Sequence, residues 1–464
     1  MIDKNDNNID WSHPPISDDI PKFIAPKTKR IALDKGAELM HYFNDSHPLV
    51  SFKIVFHKGT AQEEYPGISK VMFELLSSGT INRSAFEYAS ELDYLGASID
   101  FNESKDYAVA KLNTLSEVFE SSFELFLESM LEPKFDEQEV EKTIRKLVSA
   151  KQQEEADSSY LSSTAMMTAL FREHPYGSPE YGYADEIDNI NRKSIKNTWE
   201  SYIYESGISI VATGAISEAD AVKYSKQIID SMCAAIIEKE IEDITIREQN
   251  KLVLVNYDSD NQSLIRVGKP TINILDENYA ALSLLNVIYG GYFMSRLNNL
   301  IREQKGLSYG VHSSLSSARY TGLLGVGTSV KAANTQEVVN DIIEEMSLLS
   351  NEMLEEEELS RAKNYFLGSF LRSAESYKQI SKMLVTMTIN GLGDSYYDDF
   401  YSRIRKMRSD DLFSAQIDLL KPEGLVIAIA GKVDKVAPQF DQFIDKYELL
   451  DAEGKILNRT ENNN

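Results

Sequence analysis

One cysteine, Cys233, stands among 464 residues, which excludes an intramolecular disulfide. Long apolar runs are missing as well. None reaches the ~18 residues of a membrane span. Met1-Ile2-Asp3-Lys4-Asn5-Asp6-Asn7-Asn8 holds no hydrophobic signal core, and it is not the Arg-rich, acid-poor kind of segment that enters mitochondria. The expectation is a cytoplasmic protein, or a periplasmic one if an export signal has been removed. Basic residues are scarce. Lys+Arg number 48 against 73 Asp+Glu, a net charge of −25. That balance argues against nucleic acid and anionic membranes as partners and suits basic or neutral peptides, besides favouring solubility. Histidine is scarce too. The six are His13, His41, His47, His57, His174 and His312, and no two show the i, i+4 spacing with which a helix presents a metal-binding pair.

Hydrophobic residues make up 42% of the chain, enough for sizeable cores, and the length suggests more than one domain. Residues 1–27 are polar, contain Pro14, Pro15, Pro21 and Pro26, and read as an extended arm. Ile31 to Tyr42 suggests a hairpin turning at Asp34-Lys35-Gly36, and Val50, Phe52, Ile54 and Phe56 alternate as a strand does. Gly67 opens a helix whose apolar face is Ile68, Val71, Met72, Leu75 and Leu76; Lys70, Phe73, Glu74 and Ser77 share another face. A second helix stops at Gly96, and strands follow over 97–102 and 107–113. Helical patterns cover 117–131, 136–156 and 158–172, with Asp136 as an N-cap, and His174-Pro175-Tyr176-Gly177 breaks the run. His174 and His57 read as structural.

The second half repeats the first. Gly207-Ile-Ser-Ile-Val-Ala-Thr-Gly214 matches Gly424-Leu-Val-Ile-Ala-Ile-Ala-Gly431, 217 residues on, and Glu139-Val140 matches Glu358-Leu359, 219 residues on. Two matches at nearly equal offsets point to a duplicated unit. The expected fold class is α+β: two homologous domains, each with a mainly antiparallel sheet and helices packed on one face. The expected division is an arm over 1–27, an N-terminal domain over 28–237, a charged linker over 238–250, a C-terminal domain over 251–450 and a polar tail over 451–464.

One stretch carries most of the information. Gly290-Gly291-Tyr292-Phe293-Met294-Ser295-Arg296-Leu297 runs on through Ile301-Arg302-Glu303 to Gly306-Leu307-Ser308-Tyr309. It reads as a loop, a short helix, a glycine turn and the start of a strand, with Gly290 and Gly291 allowing backbone angles that a side chain would forbid. Arg302 and Tyr309, on either side of the turn, could point at one cleft. The string GG-x3-SRL-x4-RE-x2-GLSY resembles the C-terminal half of the pitrilysin/insulinase metallopeptidases, the inverzincins, which include the mitochondrial processing peptidase. Two homologous halves forming one half of a clam-like chamber agree with that family's architecture.

The resemblance implies more. Family peptidases carry His-x-x-Glu-His on the helix that here follows Gly67, where the histidines and a later Glu hold zinc and the first Glu activates water. Gly79-Thr80 stands in register with the family's own Gly-Thr. Lys70 then falls at the first His, Phe73 at the Glu base, Glu74 at the second His and Lys151 at the third ligand. Every metal-site position is changed, so no metal and no cofactor is expected in this chain. Lys70 and Glu74 are expected to share a cluster with Lys151, an ion pair in place of the metal. Arg302 and Tyr309 are retained, and in the family these positions hold the scissile carbonyl and stabilise its developing charge. The long glycine-rich loop of the processing-peptidase alpha subunit is reduced to Gly290 and Gly291, near where a substrate would lie. The implied function is the zinc-less subunit of a heterodimeric peptidase. A homologous partner would carry the zinc, and a peptide would bind by adding a strand to a sheet edge. The alternatives are an inert scaffold like the core proteins of respiratory complexes, or a peptide-binding homodimer.

Overall fold

In the computed structural model the residues described are 22–172, 174–232, 249–259, 261–440 and 446–461, with 241 and 244. Cys233, nearly all of the proposed linker and residues 1–21 of the proposed arm lie outside them. Alternation and turn chemistry build two sheets. The first contains β1 (Lys29–Ala32), β2 (Glu38–Phe43), β3 (Leu49–Phe56), β4 (Ser98–Glu103), β5 (Ala108–Leu115) and β6 (Ile208–Gly214), in the order β1-β2-β6-β3-β5-β4. The β1–β2 turn is tight because Lys35 and Gly36 both take positive φ, 56° and 78°. The second contains β7 (Lys251–Asn256), β8 (Gln262–Thr271), β9 (Ser308–Ser317), β10 (Gly322–Lys331), β11 (Val426–Gly431), β12 (Lys446–Leu450) and β13 (Ile456–Glu461), in the order β13-β12-β7-β11-β8-β10-β9.

The duplication seen in the sequence is a duplication of topology. β6 runs parallel to β2 and antiparallel to β3; its counterpart β11 runs parallel to β7 and antiparallel to β8. The sheets end on equivalent edges, β4 and β9. Ile68–Leu76, Phe119–Leu131, Arg192–Tyr204 and Glu218–Ser231 close one face of the first sheet around Phe52, Phe56 and Ile210. Tyr279–Asn286, Thr335–Asn351 and Ser409–Leu419 do the same for the second sheet around Ile265, Val267 and Ile427.

Two expectations are adjusted, the first by an addition and the second by a correction. Each half packs its own helices on one face of its sheet, as the α+β reading expects, and each half also lends a helix to the other's second face. Ser158–Phe171 lies across β7, β8 and β11, packing Leu161, Ala165, Met166 and Ala169 on Val253, Val426, Ala428 and Ala430. Gly268 lets the helix come this close, since a Cβ there would meet Met166 Sδ at 2.8 Å. Tyr377–Ile389 lies across β2, β3 and β6, packing Ile380, Leu384 and Met387 on Met40, Val55 and Val211. This is why β6 and β11 are buried at every residue. The correction concerns 451–464. Its described part is no tail: β13 pairs with β12, and Glu453 is buried. At the other end, Phe23 packs on Phe370 and Tyr401 of the second half.

The exchange predicts coupling between the halves. Leu384→Ala, in the second half, removes side chain that is 2% exposed against the first sheet. It should cost about 2–5 kcal/mol. In a Trp11→Phe background the fluorescence of Trp199, in the first half's core, should report that loss as a lower denaturation midpoint. An unchanged Trp199 transition would show that the halves unfold independently.

Candidate functional site

The helix Ile68–Leu76 begins at Gly67, whose φ of 92° turns the chain into it. Glu63 caps the start: its carboxylate accepts from Gly67 N at 2.9 Å and Ser69 N at 3.1 Å. Burial pushes the Glu63 carboxyl up to about 7, against the lowering by Ser69, Gly67 and Lys105. Nothing in the sequence singled this residue out. The polar face of the helix opens on a cleft of about 970 Å³ lined by Glu63, Lys70, Phe73, Glu74, Glu103 and Glu180 among others. Residues 99–103 of the edge strand β4 form one wall.

The four positions assigned to the metal site are each engaged elsewhere. Lys70 Nζ lies 2.9 Å from Glu103 Oε1, 3.0 Å from Glu180 Oε1 and 5.2 Å from the Tyr181 ring centroid. Burial alone would lower its pKa, but the two carboxylates outweigh that and hold the ammonium more firmly protonated than usual. Phe73 is 2% exposed, stacked on Phe101 at 5.0–5.5 Å from its aromatic neighbours, which include Tyr202. Glu74 pairs with Lys146 at 2.6 Å. Lys151 is buried and reaches Glu155 at 2.6 Å, Glu453 at 2.8 Å and the Gly182 carbonyl at 3.1 Å. The expected Lys70–Glu74–Lys151 cluster is therefore not formed. An ion pair does occupy the Lys70 position, but its acids come from β4 and from the segment before Tyr181. These residues do not fit zinc: a firmly held ammonium and a phenyl ring stand at two positions, and the other two are committed to ion pairs. Among the described residues no group of three or more His, Cys, Asp or Glu side chains could hold a metal ion.

Arg302 and Tyr309 come together, as the spacing predicted, but not in this cleft, whose lining includes neither. The chain makes a π-helical turn over Val287–Gly291 and another over Asn298–Gln304; Gly306 follows at φ 63° and β9 begins at Ser308. Gly290 and Gly291 are corrected in two respects. They belong to the first of these turns rather than to a loop, and neither has positive φ. They are needed for close approach instead, since a Cβ would meet Ser313 at 2.8 Å and the Asn286 carbonyl at 2.9 Å respectively. The Arg302 guanidinium carbon lies 4.5 Å from the Phe293 ring centroid and 5.5 Å from that of Tyr309. Its contact with Glu303 is longer than a good ion pair, 3.4 Å from Nε. Tyr309 is 94% exposed, so it does not pack in the sheet.

Two residues of the same string hold this arrangement. Arg296 makes a two-pronged contact with Glu358, Nε to Oε1 at 2.7 Å and Nη2 to Oε2 at 2.8 Å, and also reaches Glu345. Asn298 ties the helix to β9, donating to the Val311 carbonyl at 2.7 Å and accepting from Val311 N at 3.1 Å.

Comparison with known proteins follows from this geometry. The insulinase model of peptidase family M16 matches residues 40–182, and the model of the peptidase M16 inactive domain matches residues 189–366. The chain belongs to peptidase family M16. YmxG of Bacillus subtilis, named an uncharacterized zinc protease, is 24% identical over 353 residues, 75% of this chain and 85% of its own. A protein of Helicobacter pylori named a non-peptidase homolog, YmxG, is 24% identical over 311 residues, 65% of this chain and 70% of its own. A crystal structure of a peptidase M16 inactive domain from Pseudomonas fluorescens shares the fold, with a TM-score of 0.81 at 23% identity over 87% of this chain and 98% of that one. This M16 chain shares the fold of that structure, and the positions that the resemblance gives to the metal site hold Lys70, Phe73, Glu74 and Lys151. No described helix is long and apolar enough to cross a membrane.

Two measurements check the site. Chelator-free protein should contain far less than one zinc per chain by elemental analysis; about one per chain, lost on mutating a histidine, would contradict the reading of Lys70, Phe73, Glu74 and Lys151. The ion pairs should also differ in weight. Glu74 and Lys146 are exposed, so Glu74→Ala should cost less than about 1 kcal/mol. Glu453 and Lys151 are buried, so Glu453→Gln should cost about 3 kcal/mol. Burial raises the pKa of Glu453, but hydrogen bonds from Lys151, Ala184 and Lys455 carry it below its ordinary 4.5. Its stabilisation is therefore present above pH 4.5 and lost as pH falls through the folded-state value. The Gln variant should flatten acid denaturation in that range.

Proposed function

We propose that this chain is the zinc-less subunit of a hetero-oligomeric peptidase, supplying Arg302 and Tyr309 to a substrate carbonyl bound at the zinc of a homologous partner. One observation carries the reading: the positions that the resemblance gives to the ligands hold ion pairs and aromatic packing, while Arg302 and Tyr309 stand together outside that cleft, with Arg302 in a long 3.4 Å contact with Glu303 and beside the Phe293 and Tyr309 rings. A guanidinium and a phenol fixed beforehand are suitable donors to an oxygen gaining negative charge. They act on the wall opposite the metal, so the two sets of groups can belong to different chains. The non-peptidase name of the Helicobacter pylori relative is in keeping with this reading. The cleft beside β4 and the acidic surface suit an extended, basic or neutral peptide.

This protein alone should hydrolyse nothing, and its zinc-bearing partner should restore turnover of an internally quenched peptide. Arg302→Ala or Tyr309→Phe should lower that turnover roughly 10²–10³-fold, with assembly, read by size, unchanged. Full activity of both variants would leave the chain an inert scaffold.

A further inference from the structure

We infer that Phe293 is a positioning residue for Arg302: its ring is the surface on which the guanidinium is held ready. The inference rests on the proposed function for its catalytic consequence but not for its geometry.

Phe293 is 62% exposed, so core packing does not account for a phenyl ring there. The guanidinium carbon of Arg302, not merely its alkyl stem, lies 4.5 Å from the ring centroid, well inside the range in which a cation is attracted by an aromatic face. Its contacts with Glu303 and the Tyr309 ring are weak. Glu303 touches Nε only at 3.4 Å, and the Tyr309 ring is 5.5 Å away and itself 94% exposed. The ring, by contrast, grows from a fixed piece of backbone. Tyr292, just before it, packs its ring on that of Tyr365, centroids 5.0 Å apart, and its carbonyl accepts from Ser295 N at 3.1 Å and Asn298 Nδ2 at 3.2 Å. Ser295, just after, is 1% exposed, and Arg296 is clamped by Glu358. A guanidinium held over a ring face makes no hydrogen bond to it and keeps its N–H groups free for an oxygen, which a guanidinium drawn onto Glu303 would not. Preorganisation of that kind favours the donor geometry before the reaction asks for it.

The attraction at an exposed site favours the stacked position by a factor of about 2–5, so the test must see position as well as rate. With arginine side chains isotopically labelled, and the Arg302 signal assigned by its disappearance in Arg302→Lys, the Nε proton should resonate upfield under the Phe293 ring current. That shift should vanish in Phe293→Leu and persist in Phe293→Tyr. In the pair with the zinc-bearing subunit, Phe293→Leu should lower kcat on a quenched peptide about 2–5-fold with KM little changed, and Phe293→Tyr should restore it. A shift that survives Phe293→Leu overturns the inference, as does unchanged turnover in Phe293→Leu when Arg302→Ala is crippled. Unchanged turnover in Arg302→Ala would overturn the proposed function instead, and the resonance shift would still decide where the guanidinium rests. Phe293 is at the surface, so the leucine variant should melt with the native protein.

Discussion

The structure depends on the burial of a second face that neither half can cover by itself. β6 and β11 are buried at every position, and each sheet presents hydrophobic surface on both sides. Each half closes one side with its own helices and the other with a single borrowed helix, Tyr377–Ile389 for the first sheet and Ser158–Phe171 for the second. Each borrowed helix leaves a large apolar contact exposed if the halves part. Ion pairs between the halves, Arg172 with Glu448 and Lys151 with Glu453, lie at this seam. They are specific in geometry, but the apolar exchange supplies the driving force.

That constraint fixes where the two sets of candidate residues stand. The Gly67 helix sits against the first sheet with its polar face on the cleft. The Arg302 segment sits against the second sheet, pinned by Arg296–Glu358 and by Asn298 on β9. Topologically equivalent edges, β4 and β9, thus carry different chemistry. One borders a cleft whose charges are paired within the chain, and the other carries a guanidinium and a phenol turned outward.

Much of this was legible in the residues. Strand periodicity at Val50–Phe56, the glycine stops at Gly96 and Gly306, the cap at Asp136 and the repeat of Gly207–Gly214 at Gly424–Gly431 are local signals, and local signals survive folding. His174 does cap the turn Pro175–Gly177 through Nδ1, at 3.1 Å from Tyr176 N. What escaped was non-local. The helix Ser158–Phe171 spreads apolar residues all round instead of on one face, and β6 and β11 are buried at every residue and need two covers, but neither feature says which helix covers which sheet. Glu155, one turn along from Lys151, is a partner that helical spacing reaches, but Glu103 and Glu180 on Lys70 and Glu453 on Lys151 come from segments 33 or more residues away, beyond any spacing rule. Glu358 was within reach, since the repeat had already marked it. Its role as the anchor of Arg296 needed the fold.

The position that the resemblance gives to the first metal ligand has its own electrostatic logic. Glu103 and Glu180 both face the position taken by Lys70, at 2.9 and 3.0 Å from its ammonium. A neutral side chain there would leave two carboxylates sharing one partly desolvated wall, an arrangement that forces one of them to take up a proton or to turn away. Lys70 meets the need for a cation with a group that cannot be lost to solvent and cannot activate water as a metal does. Phe73 completes the change, because its ring fills the space of an acid and stacks between Phe101 and Tyr202. The cleft beside β4 therefore keeps its walls and its charge balance without depending on a bound ion. Arg302 and the 94% exposed Tyr309 stand on the other sheet, outside this cleft.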